Sequence, residues 1–103
     1  MMMFLQMRWV VEDRMSFDEV WRRQVEEDRV VRESIGLVGI WKVAGQKRVL
    51  AIVEVDDADQ LDRVVMSKLP LREYLEFETV WPLRSFANFI EDCRTGFLDS
   101  SVE

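Results

Sequence analysis

Two apolar runs separated by four residues constrain this chain more than anything else in it. Residues 37–43, Leu-Val-Gly-Ile-Trp-Lys-Val, and residues 48–55, Arg-Val-Leu-Ala-Ile-Val-Glu-Val, flank Ala-Gly-Gln-Lys. Both runs are rich in β-branched and aromatic residues, and a short Gly-containing connection is what an antiparallel hairpin needs. Alternation places Leu37, Gly39, Trp41 and Val43 on one face of the first strand, with Val38, Ile40 and Lys42 on the other. Gly39 inside the strand predicts a bulge or a close approach by another group. The runs are nearly continuous in apolar residues, so the hairpin is expected at the centre of a sheet.

The rest of the chain arranges itself around that hairpin. Residues 3–11 form a first strand whose Leu5, Met7, Trp9 and Val11 share an apolar side. Ser16 and Glu19 have capping-box spacing and open a helix that runs to about Ser34 and stops at Gly36. Asp56 or Asp57 caps a second helix ended by Pro70, and acids crowd its first turn, where the helix dipole favours them. Residues 72–81 alternate, with Tyr74, Glu76, Glu78 and Val80 against Leu75, Phe77, Thr79 and Trp81, as in a strand near a sheet edge. Ser85 caps a last helix bearing Phe86, Phe89, Ile90 and Cys93, which closes at Gly96 and leads into an acidic tail.

The order is strand, helix, strand, strand, helix, strand, helix. That predicts an α+β protein of the ferredoxin-like βαββαβ type, with a four-stranded antiparallel sheet and an added C-terminal helix. Residues 1–83 would form this domain, and residues 84–103 the helix and tail. Both long helices lie on one face, so the other face needs cover. A second sheet packed face to face, as in a dimeric α+β barrel, or an exchanged C-terminal segment would supply it. Four Trp and six Phe in 103 residues are more than one thin two-layer domain hides easily, which again points to a homo-oligomer.

Composition narrows the function. Fourteen basic against twenty acidic residues give a net charge of −6, with the basic residues scattered, so no nucleic-acid partner is expected. No apolar run approaches the roughly 20 residues of a membrane span, and Gln6 and Arg8 interrupt the opening apolar residues. The expectation is a cytoplasmic protein without a membrane partner. One cysteine, Cys93, and no histidine leave no metal cluster. Acid or base chemistry near neutral pH must then fall to a carboxylate, lysine or tyrosine of shifted pKa.

The first helix carries a candidate. Phe17, Val20, Trp21, Val25, Val31 and Ile35 fall on one arc, and two acids intrude: Asp28 near its middle and Glu27 at its edge. Either these acids turn to solvent, or one points into a partly apolar pocket where desolvation suits it to proton transfer. Taken alone, Trp41 reads as a core or interface aromatic, Tyr74 as part of an exposed strand face, and Cys93 as helix packing.

Several segments together resemble the muconolactone Δ-isomerase family. They are the opening strand with Met7, the acid-rich helix, "GIWKVAG" against a Trp-Arg-x-x-Gly pattern, "VEVDDADQL", and "LPLREYLEFETVWPL" against Leu-Pro-Leu-x-x-Tyr. The resemblance covers about residues 1–83. It implies a small ferredoxin-like subunit in a large homo-oligomer, acting in aromatic catabolism on an unsaturated lactone, without metal or organic cofactor. By position it implies Glu27 as the base and Lys42 as a catalytic cation on the lactone oxygens. Asp28, Trp41 and Tyr74 would then be substrate-binding residues. Leu37, Val38, Gly39 and Ile40 stand where the family shows Trp-Arg-His-Leu, so an Arg and a His suited to a substrate carboxylate are absent. A different lactone or cyclic ketone is one consequence. A non-catalytic oligomeric binding module and a cofactor-free monooxygenase or cyclase on the same fold are the other two readings.

Overall fold

The computed structural model describes residues 1–96, and the acidic tail lies outside them. The elements are β1 (Met2–Trp9), α1 (Phe17–Ser34), β2 (Gly36–Lys42), β3 (Arg48–Glu54), α2 (Ala58–Arg63), β4 (Leu75–Leu83) and α3 (Phe86–Thr95). A π-helical turn, Val64–Lys68, continues α2, and a 3₁₀ turn, Arg72–Tyr74, leads into β4. The strands form one antiparallel sheet in the order β2-β3-β1-β4. This is the ferredoxin-like α+β arrangement.

Local chemistry sets most boundaries. Ser16 accepts the Glu19 N–H at 3.2 Å, Asp57 accepts the Gln60 N–H at 2.8 Å, and Ser85 accepts the Asn88 N–H at 3.3 Å, so each helix begins on a side-chain cap. The Glu19 carboxylate pairs with Arg22 and Arg23. Gly96 ends α3 at φ 68°, a left-handed conformation that costs glycine little.

β3 and β1 are the central strands, and β2 lies at an edge. The hairpin is therefore not the sheet centre, as its apolar run suggested. β2 is apolar on both sides because one side faces the helices and the other the uncovered sheet surface. Two bulges also reset the alternation. Val38 is the extra residue of β2, so Leu37 joins Ile40 and Lys42 on the helix side, opposite Val53, Ala51 and Val49. Gly39 and Trp41 turn to the uncovered face, where the indole lies over the glycine. A Cβ on Gly39 would sit 2.5 Å from the Trp41 ring. In β4 the extra residue is Glu78, so Val80 shares the helix side with Leu75 and Phe77, while Trp81 joins the glutamates.

The core lies between sheet and helices in two clusters. One gathers Met3, Leu5, Ile35, Val53, Val55 and Leu61; the other holds Trp9, Val11, Val20 and Leu71. Full burial of a side chain such as Leu71 or Val20 contributes about 1.5–3 kcal/mol. α1 is rotated from its expected phase. Val20, Glu27, Val31 and Ile35 face inward, whereas Trp21 and Val25 are 74% and 81% exposed.

The uncovered sheet face carries an apolar half and a charged half. Phe4 and Trp81 stack at 5.7 Å near Ile52 and Leu50. Arg48 pairs with Glu78 at 2.9 Å, and Arg8 with Glu76 at 3.2 Å. α3 makes no extensive contact with any other described element, and its Phe86, Phe89 and Ile90 remain exposed. Among the described residues no helix is long and apolar enough to cross a membrane.

Candidate functional site

A cavity of about 290 Å³ opens between the sheet, α1 and the α2 segment. Its floor is Leu5, Met7, Trp9 and Ala51 from the inner strands, with Phe77 from β4. Its roof is Val31 from α1 and Ile35 at the C-terminal cap of that helix, with Val64, Val65 and Leu69 from the other side. The π-helical turn shapes that roof, because the Leu69 N–H reaches back to Val64 O at 3.3 Å, one residue further than an α-helix allows. The wider turn brings Val64 and Leu69 both against the cavity, and Pro70 then carries the chain to Leu71.

Glu27 enters this lining as the single buried charged or polar residue among those described, 8% exposed. Its Oε2 accepts the Leu71 N–H at 2.9 Å. Among the described residues no donor reaches Oε1, and no fully buried side-chain polar atom lacks a partner, so Oε1 is not fully enclosed where Glu27 lines the cavity. Burial pushes the Glu27 pKa above the ordinary carboxylate value, and the Leu71 N–H opposes the rise.

Asp28 also lines the cavity, at its opening. It is half-exposed, and both its oxygens lie 3.0 Å from Arg32 Nε. One turn earlier Gln24 joins the lining; its Nε2 donates to Val20 O at 3.1 Å, and its second amide hydrogen meets no acceptor among the described residues. The residues of α1 that reach the site are therefore 24, 27, 28 and 31. That spacing was available in the sequence, but Trp21 and Val25 drew the expected arc toward themselves, so Gln24 was missed.

The other predicted residues stand apart from the cavity. Lys42 lies along a neighbouring groove with Trp9, Phe17, Trp21 and Val25. Its Nζ donates to Val43 O at 2.8 Å and to Gln46 O, closing the β2–β3 turn, and lies 5.9 Å from the Trp9 ring centre. Trp41 borders the same groove from the edge strand. Tyr74 is half-buried against the second core cluster, with the Arg14 guanidinium 4.7 Å from its ring centre. The structure thus brings Glu27 and Asp28 together and leaves Lys42, Trp41 and Tyr74 outside their cavity. Cys93 is exposed on α3. Among the described residues no three His, Cys, Asp or Glu side chains converge as metal ligands.

A ferredoxin-like domain with a partly open apolar cavity and one inward carboxylate defines a class of small α+β protein. Comparison with known proteins gives the family. The family model for muconolactone delta-isomerase matches residues 1–88, and the chain belongs to that family. Among curated proteins none matches the sequence significantly. One similar solved structure is an uncharacterized NIPSNAP domain protein from Burkholderia xenovorans. It is 15% identical with a TM-score of 0.49, over 84% of this chain and 97% of that one.

Proposed function

We propose that the chain is an isomerase that moves a double bond in a small unsaturated lactone or related cyclic carbonyl compound, with Glu27 carrying the proton. The observation behind this reading is a buried carboxylate held by one backbone N–H in the lining of an apolar cavity. Glu27 Oε1 would take the proton from the carbon between carbonyl and alkene. The C–H pair passes into a dienolate, and the neutral acid returns the proton to the far alkene carbon. Burial favours this by keeping the basicity of Glu27 above that of an exposed glutamate. Gln24, which also lines the cavity, would supply a hydrogen-bond donor to the developing oxyanion.

We infer that the working unit is a homo-oligomer. The apolar half of the open sheet face and the unpacked α3 stripe support this, since a second copy would cover both. The same surfaces would serve a non-catalytic assembly module, and catalysis separates the readings. Conversion of a β,γ-unsaturated butenolide, followed by ultraviolet absorbance, should be seen with the native protein and with Asp28→Asn. It should fall by about 10²–10⁴-fold in Glu27→Gln. Equal rates for Glu27→Gln and the native protein would refute the base assignment, and no conversion by either would favour the assembly module.

A further inference from the structure

The charges around the cavity say what it accepts. Among the described residues its lining contains two carboxylates, Glu27 and Asp28, and no lysine or arginine. Arg32 sits near the opening but is committed to both oxygens of Asp28. Lys42, facing the neighbouring groove, is committed to two backbone carbonyls. The remaining polar group is the neutral Gln24 amide, and apolar side chains make up the rest of the wall.

From this lining we propose that the site takes an uncharged, largely apolar carbonyl compound and excludes substrates bearing a carboxylate. The proposal deepens the proton-transfer reading and rests on it for the identity of the cavity. An anionic substrate would be desolvated there with no cation to meet it, beside a buried carboxylate of like sign. An uncharged ring with an aliphatic substituent would instead exchange water for Leu5, Val31, Val64 and Phe77. At about 290 Å³ the space lies at the small end of ligand pockets, which fits one ring and a short side chain.

The test compares two ligands of nearly the same shape with the full-length native protein at pH 7.5. One is a butenolide with a carboxymethyl group on its γ-carbon; the other is its uncharged isostere with an isobutyl group there. Calorimetry measures binding, and proton NMR in the same samples follows double-bond movement. The neutral ligand is expected to bind at least tenfold tighter, and Glu27→Gln should narrow that ratio by relieving the like charge. Equal or tighter binding of the carboxylate, or no binding of the neutral ligand, would overturn the proposal. Tight binding of the neutral ligand without double-bond movement would support the substrate class while refuting the isomerase reading. Turnover of the carboxylate with the better affinity would do the reverse.

Discussion

Glu27 Oε2 and the Leu71 N–H meet at 2.9 Å, joining α1 to the segment beyond the π-helical turn across 44 positions of sequence. The bond holds the carboxylate in the cavity lining, so packing and the proposed proton transfer would fall on one residue. Two substitutions separate the roles. Glu27→Gln keeps a carbonyl oxygen for Leu71, whereas Glu27→Leu leaves a buried N–H unpaired at about 1–3 kcal/mol. Denaturant unfolding should show that loss in the leucine variant alone. Equal stability of the two variants would contradict the role given to this bond.

The same burial predicts a pH dependence. A carboxyl whose folded pKa lies above its unfolded value of about 4.5 holds more protons when folded, so its contribution to stability falls as pH rises through that window. Melting temperatures of the native protein and Glu27→Gln should therefore diverge above about pH 4.5 in favour of the variant. A constant difference between pH 3 and pH 8 would contradict it.

Burial separates two apolar residues that look alike in sequence. Leu71 is 0% exposed, and Leu71→Ala should cost about 2–5 kcal/mol. Trp21 is 74% exposed, and Trp21→Ala should change subunit stability by no more than about 0.5 kcal/mol. Chemical denaturation of both variants checks the contrast.

On the uncovered face, hydrogen bonds from Arg48 and Gln6 hold the Glu78 carboxyl down to about 2. Arg48→Ala should raise it toward 4.5, seen by carbon-13 NMR of the side-chain carboxyl. No change would mean that the pair does not persist in solution.

If a second copy covers that face, placing a charge at its apolar centre should separate the copies. Phe4→Glu is expected to lower the particle mass measured by light scattering while leaving far-ultraviolet circular dichroism intact. An unchanged mass would place the contact elsewhere.

Much of the fold was legible because its signals are local. Ser16, Asp57 and Ser85 cap their helices from side chains three residues away from the amide they satisfy, and element order alone implied the sheet. The bulges at Val38 and Glu78 were not legible in phase, since each shows only in the register of the paired strand. The site was half legible. Glu27 and Asp28 stood out as acids on an apolar helix, but the choice between them depended on α1 turning Trp21 and Val25 outward. The Leu71 amide had no signal at all, because any residue but proline would supply it.

The most direct test is solvent hydrogen exchange. A β,γ-unsaturated butenolide is incubated with the protein in deuterated buffer, and loss of the proton between carbonyl and alkene is followed by NMR. Exchange well above the uncatalysed rate is predicted for the native protein, slowed at least about a hundredfold in Glu27→Gln. Exchange at the same rate in both proteins would contradict the assignment of Glu27 as the proton carrier.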